Sequence, residues 1–160
     1  MQLLKLILSI VDFYKLKKSD MMKINEYPQY MLFKFTKLLN FNREKFQKQY
    51  TGKRAVNSTL INRAYYSSYS YALLWLEEIK NFKLKQKWEY AADGEEYVSE
   101  HQQVRNALRD FNKMKSSRKL KNLHDLRKKA DYNLFNPLTK KDLDKSIEYM
   151  NDIFKELKFP

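Results

Sequence analysis

Cysteine is absent from this chain of 160 residues, and glycine and proline are scarce, with two and three copies. Without cysteine the protein can form no disulfide, thiolate zinc site or cysteine nucleophile. The two isolated glycines, Gly52 and Gly94, cannot build a phosphate-cradling loop, which excludes nucleotide-binding folds of the P-loop and Rossmann kinds. Only two histidines occur, His101 and His124, so any imidazole chemistry must use one of them. The lack of cysteine fits a reducing compartment, and we expect a cytoplasmic protein.

Long apolar runs are missing as well. The most apolar stretch, residues 1–11, is interrupted by Gln2, Lys5 and Ser9. It is also shorter than the roughly 20 residues that a membrane-spanning helix needs. We therefore expect residues 1–26 to form an apolar helical extension that packs on the body or on a partner, with a membrane-surface role as the weaker alternative. Residues 27–160 then form the main helical domain, because 160 residues suffice for one core.

The few helix breakers predict long helices with short connections. Apolar residues recur at three- and four-residue steps, and no strand-like alternation of useful length appears. Ser99 with Gln102 and Thr139 with Asp142 have the spacing of helix-capping pairs. The sequence therefore predicts an all-α fold, an antiparallel bundle of four to five helices. The predicted helices lie at about 27–49, 57–79, 99–111, 120–134 and 139–157, with an irregular stretch at 81–98 and a basic connection at 114–119.

Positive charge dominates, with 32 lysines and arginines against 19 acidic residues and a net charge of +13. Such an excess favours an anionic partner such as RNA, although an evenly basic surface gives the same total. The densest positive stretch sets eight basic residues against one acid, Asp125. It is either an RNA-binding surface or a solvated helix face. Its basic members are Lys113, Lys115, Arg118, Lys119, Lys121, Arg127, Lys128 and Lys129.

Within that stretch, Arg118 precedes His124 by six positions. An arginine can hold a phosphate with two hydrogen bonds, and a histidine can move a proton near neutral pH, so the pair could cleave RNA without a metal. Residues six apart on one helix lie about 120° apart. We therefore expect Arg118 on a preceding loop, or one of the two residues supplied by a dimer partner. His101 is the control imidazole for this prediction, and no set of metal ligands stands out, so we expect no cofactor.

An aromatic run from Asn62 to Tyr71 forms the third candidate surface. Ala64 and Ser68 are four apart, share a helix face, and are small enough for another helix to approach closely. Tyr65 and Tyr66 would spread around that contact. The pattern indicates either packing within the chain or association between two chains.

Two of these segments resemble the signature helices of a HEPN family. They are Arg63-Ala64-Tyr65-Tyr66 and Leu126-Arg127-Lys128-Lys129-Ala130-Asp131-Tyr132, and His101 matches a histidine that such proteins often place at the start of the third helix. The resemblance covers residues 30–157. It implies an antiparallel helical bundle that dimerises. It also implies the metal-independent ribonuclease activity of toxin–antitoxin, abortive-infection and CRISPR-linked systems.

The resemblance implies a catalytic arginine and a histidine with four to six residues between them. Arg127 is followed at that distance by Tyr132, and Arg118 with His124 is the pair with the right spacing. Two functions follow as alternatives. The first is an RNA-directed protein of a defence or toxin module, an endoribonuclease if His124 acts with Arg118 or Arg127. The second is a non-catalytic module that binds a nucleotidyltransferase antitoxin, a nucleotide or an effector protein. The candidate binding residues are Lys119, Lys121, Lys128, Lys129, Asp131, Tyr132, Tyr65, Tyr66 and His101.

Overall fold

The computed structural model describes residues 27–48, 52–133 and 137–159, and it is helical through most of that length with no strand. Five of its seven helices have 11 residues or more, which confirms the predicted all-α bundle. The helices are α1 (Pro28–Phe41), α2 (Arg43–Phe46), α3 (Gly52–Lys80), α4 (Lys87–Ala92), α5 (Glu100–Asp110), α6 (Met114–Tyr132) and α7 (Lys140–Glu156).

The longest helix, α3, is the centre of the bundle. Its 29 residues extend for about 44 Å at 1.5 Å per residue, long enough to pack against α1, α2, α5, α6 and α7. Apolar residues line several of its faces because it has neighbours on several sides. Its fully buried members include Leu60, Ile61, Ala64, Ala72 and Leu76.

Several neighbouring helices run antiparallel, as their contacts show, whereas α3 and α7, which are both antiparallel to α6, run parallel to each other. Along α3 and α6, Ser58 bonds to the carbonyl of Ala130, whereas Tyr65, further along α3, packs against His124, further back on α6. Helices α5 and α6 cross in the same order, through the pairs His101–His124 and Arg105–Ser117. Helices α7 and α6 do so through Asp142–Lys129 and Asp152–Lys119. Helix α1 is related in the same way to α7 and the residues that follow it, through Tyr27–Phe159 and Phe33–Phe154.

The last helix shows how the sequence pattern becomes structure. Thr139 caps it, since its hydroxyl accepts a hydrogen bond from the Asp142 amide at 3.1 Å while the Asp142 carboxylate accepts one from the Thr139 amide at 2.9 Å. The predicted capping pair is confirmed. The predicted apolar stripe is buried at Leu143, Met150 and Ile153, which fixes α7 against α3 and α6.

Several predicted boundaries were wrong. Residues 114–119 are the first turns of α6 and not a connection, because Ser116 and Ser117 are buried and bonded to Glu156 and to the Arg105 carbonyl. Ser99 precedes α5, but its side chain makes no capping hydrogen bond. The first predicted helix is divided at Asn42, α3 begins at Gly52, and the irregular stretch 81–98 contains α4.

Two predictions lie outside the described residues: the helical extension at 1–26 and the contribution of Leu134 to the fourth core helix. Among the described residues, none of the helices combines the length and the apolar character needed to cross a bilayer.

Candidate functional site

Helices α3, α5 and α6 bring both histidines together with two tyrosines. The Tyr65 hydroxyl lies 2.8 Å from His101 Nδ1, and the two imidazole rings have centroids 5.3 Å apart. Tyr65 also lies 5.3 Å from the His124 ring, and Tyr69 meets His101 edge-on at 4.6 Å. We call Tyr65, Tyr69, His101 and His124 the histidine cluster.

The surroundings of the cluster keep both imidazoles neutral near pH 7. Burial, together with the nearby His101 and Lys128, lowers the pKa of His124 to about 4. Burial and Arg105 lower the pKa of His101 as well. Burial raises the pKa of Tyr65, so its phenol keeps its proton. The cluster therefore contains two unprotonated bases beside a neutral hydroxyl donor.

A shallow open pocket of about 290 Å³ lies beside the cluster, between α3 and α6. Two arginines, an aromatic ring and three other polar side chains line it, a composition that suits an anionic or aromatic ligand. We call it the arginine pocket; its lining residues are Thr59, Asn62, Arg63, Tyr66, Arg127 and Asp131.

Arg127 is held in place from three sides. Its Nε lies 2.8 Å from Asp131 Oδ2, close enough for an ion pair but not aligned as a hydrogen bond. Asn62 Nδ2 donates to the other Asp131 oxygen at 2.7 Å. The guanidinium lies 5.7 Å from the Tyr66 ring and 5.4 Å from the Tyr132 ring. A guanidinium fixed in this way has its orientation set before any ligand arrives.

The cluster and the pocket form one continuous polar seam. His124, Arg127 and Asp131 follow one another at three- and four-residue steps, so they share one face of α6. Tyr65 and Tyr66 are neighbours on α3, with ring centroids 5.3 Å apart. A single extended ligand could therefore contact both histidines and Arg127.

Three buried polar atoms of the seam have no hydrogen-bond partner among the described residues: Asn62 Oδ1, Tyr69 Oη and Arg127 Nε. A fourth, Arg105 Nη1, belongs to the residue that follows His101 by four positions on α5. Buried polar atoms are normally paired, and leaving one unpaired costs about 1–3 kcal/mol. Their concentration here indicates a surface that favours a polar ligand over close packing alone.

Lysines border the seam along α6. At 100° per residue, Lys128 lies about 40° and Lys121 about 60° around the helix from His124, on the same side. Both are exposed, and neither forms an ion pair within the described ranges. Lys119 and Lys129 differ, because Asp152 and Asp142 bind them across the α6–α7 contact. Of the four lysines predicted to bind RNA, Lys119 and Lys129 are therefore already paired with a carboxylate of the same chain.

Arg118 lies away from the seam within one chain. It is an exposed residue of α6, not a loop residue, and about 120° around the helix from His124. Arg127, the second arginine predicted as catalytic, follows His124 by three residues and shares its face. Of the two candidate arginines, the fold brings Arg127 to the histidine.

The small residues of the aromatic run pack within the chain. Ala64 and Ser68 are fully buried, and the Ser68 hydroxyl bonds to the Ala64 carbonyl at 2.7 Å. Tyr65 is only 1% exposed, whereas Tyr66 is 39% exposed at the edge of the arginine pocket. This surface is not available for a second chain, except at Tyr66.

Sequence reasoning did not single out Asn62 or Arg105 as site residues. Arg105 follows His101 by four positions on α5, a spacing that could have drawn attention to it. Asn62 gave no comparable signal, because its partner Asp131 is distant in the sequence.

The fold and the site define this protein as an all-α bundle with a basic polar seam that contains both of its histidines. Among the described residues, no three His, Cys, Asp or Glu side chains come together as metal ligands. Neither a protein-family model, nor a curated protein, nor a solved structure matches the chain.

Proposed function

We propose that this chain is an RNA-directed HEPN-type protein of a defence or toxin module, and that its polar seam cleaves RNA without a metal. The observation that carries the proposal is the placement of His124 and Arg127 on one face of α6, beside a second imidazole. The two segments that resemble the HEPN family also meet here, since Tyr66 of α3 contacts Arg127 of α6, and Asn62, which directly precedes the first segment, bonds to Asp131.

The proposed chemistry is attack of a ribose 2′-hydroxyl on the adjacent phosphate. Neutral His124 accepts the 2′-hydroxyl proton, the bond from the 2′-oxygen to phosphorus forms, and the bond from phosphorus to the 5′-oxygen breaks as that oxygen takes a proton from solvent or from an acid of the seam. Arg127 offsets the negative charge that accumulates on the phosphate oxygens. Lys121 and Lys128 hold the flanking phosphates.

The alternative is a non-catalytic module that binds a nucleotidyltransferase antitoxin, a nucleotide or an effector protein. The observation that favours it is the commitment of Arg127 to Asp131, with Tyr132 in the position where the family signature places a histidine. Both functions use the same seam, so the two proposals differ in whether the bound RNA or other ligand is cleaved and not in where it binds.

The first prediction is RNA cleavage in the presence of EDTA. We expect His124→Ala to slow cleavage by about 10²–10⁴-fold through loss of the base. Arg127→Ala should slow it by about 10²-fold or more through loss of charge stabilisation. Arg118→Ala should retain activity, since Arg118 lies away from the seam. Circular dichroism of each variant controls for folding.

RNA binding by the same proteins separates the two functions. The Lys121→Glu/Lys128→Glu double variant should bind more weakly and lose about two units of slope in a plot of log affinity against log salt. The charge-matched control is Lys141→Glu/Lys145→Glu on α7, which lies outside the seam. Full activity of His124→Ala would contradict the proposed cleavage. Binding by the wild type without cleavage of varied RNAs would support the non-catalytic alternative.

A further inference from the structure

We propose that His101 is the second proton-transfer group of the seam, paired with His124, and that Tyr65 is the residue that positions it. This inference rests on the proposed cleavage of RNA. It gives His101, the residue that sequence reasoning used as a control, a catalytic role, and it places the acid and the base in a single chain.

The geometry fixes His101 by two contacts from α3. Its Nδ1 is bonded to the Tyr65 hydroxyl at 2.8 Å, and the edge-on Tyr69 ring holds the imidazole plane at 4.6 Å. With Nδ1 engaged, Nε2 is the nitrogen left for a substrate. The ring therefore has a set orientation 5.3 Å from its partner imidazole.

Tyr65 also determines which nitrogen carries the proton. Because the buried phenol stays protonated, it can donate its hydrogen to Nδ1. Neutral His101 then carries its proton on Nε2, whereas in the imidazolium that acts as general acid Nδ1–H donates to the Tyr65 oxygen and Nε2–H is the proton available for transfer. A phenylalanine at this position would keep the ring packing but remove this preference.

The proton balance needs two imidazoles that differ by one proton. Neutral His124 takes the proton of the 2′-hydroxyl, and protonated His101 gives its Nε2 proton to the departing 5′-oxygen while it keeps the Nδ1 proton that it donates to the Tyr65 oxygen. The products are a 2′,3′-cyclic phosphate and a free 5′-hydroxyl, with the extra proton moved from His101 to His124. Return of that proton through solvent restores the starting state.

Charged groups on α5 and α6 influence how readily the pair binds that proton. Glu100 favours protonation of His101, whereas Arg105 and Arg127 oppose it. Lys128 and Arg105 oppose protonation of His124, and Asp125 favours it. Since one imidazolium repels the next, the pair accepts a single proton, and a bound phosphate anion favours that first protonation. Tyr65 and Tyr69 are the titratable groups that contact the pair from α3, and Tyr66 lies next to Tyr65.

The test combines cleavage kinetics with the pH profile. We expect His101→Ala to lower kcat by about 10²–10⁴-fold. Tyr65→Phe should lower kcat with little change in KM and should move the basic limb of the profile, which a purely structural role would not do. The matched control is Tyr71→Phe, a buried tyrosine of α3 whose ring stacks on Phe154 outside the seam. Cleavage by His101→Ala within twofold of the wild type would overturn the inference.

Nitrogen-15 NMR of the histidine rings tests the pair without any RNA. The wild type should show His101 with its proton on Nε2, and Tyr65→Phe should show a mixture of both tautomers. His101→Gln should raise the pKa of His124, because it removes the neighbouring imidazole. A wild type that cleaves no RNA would overturn the proposed function and the catalytic role together. An unchanged tautomer in Tyr65→Phe, with cleavage intact, would overturn only the positioning role.

Discussion

His124 illustrates how the surroundings of one residue determine its chemistry. On an exposed helix face it would titrate with a pKa near 6.5. Here burial, His101 and Lys128 lower that pKa to about 4. The same surroundings that keep the imidazole neutral make its protonation unfavourable for the folded state.

A pH-dependent stability follows from this shift. Because the folded pKa lies below the unfolded pKa, the unfolded chain binds more protons between about pH 6.5 and pH 4, and stability falls as pH falls through that window. We expect a loss of about 1–2 kcal/mol, allowing for solvent screening at this half-buried group. Urea unfolding from pH 4 to 8 measures it.

His124→Gln is the variant for comparison. Its stability should change less across the same window, whatever its stability at pH 8. Asp142 does not account for this effect. Burial raises the pKa of its carboxyl, but hydrogen bonds from Lys129 and Thr139 outweigh burial and leave the pKa lowered. The contribution of Asp142 to the stability of the fold is therefore lost only below about pH 4. Parallel pH curves for the two proteins would contradict the assignment to His124.

At the scale of the helix, two predicted capping pairs had different outcomes. Thr139 and Asp142 exchange backbone and side-chain hydrogen bonds at the start of α7, and the Asp142 carboxylate also accepts one from Lys129 of α6 at 2.8 Å. Ser99 stands before α5 without a side-chain cap. The Thr139–Asp142 cap therefore stabilises the first turn of α7 and also links α7 to α6.

These two positions give a matched pair of substitutions. Thr139→Ala should destabilise the fold by about 1 kcal/mol, because the first-turn amide of α7 loses its acceptor. Ser99→Ala should change stability by less than about 0.5 kcal/mol. Chemical denaturation of both variants at pH 7 measures the difference. Equal losses would show that the α7 cap contributes no more than an uncapped helix start.

At the scale of the whole molecule, the charge of +13 is unevenly available for binding. Lys119 and Lys129 form ion pairs with Asp152 and Asp142 of α7, whereas Lys121 and Lys128 are exposed beside the seam. Two exposed lysines of the densest basic stretch therefore lie next to the histidine cluster. A long anionic chain would be drawn toward the residues proposed to cleave it.

The HEPN resemblance further predicts a homodimer or a higher assembly of dimers. Because Ala64 and Ser68 are buried within the chain, we expect any contact to involve other surfaces. Light scattering at micromolar concentration should give at least twice the 19.5 kDa chain mass. Ala64→Leu, which overfills a packed position, should destabilise the fold by about 1–3 kcal/mol without acting on the dimer itself. A single 19.5 kDa species across concentrations would contradict the prediction.

The sequence by itself determined the all-α class, the approximate extent of the long helices, the apolar face of α7 and the two segments that meet at the seam. These follow from helical periodicity and capping, which depend on residues three or four apart. The tertiary structure decided the rest. It placed His101 beside His124, put Arg127 and not Arg118 on the face of α6 that carries His124, and paired Lys119 and Lys129 with acids of α7. Those contacts join residues far apart in the chain, and they depend on how several helices pack together, which local periodicity does not specify.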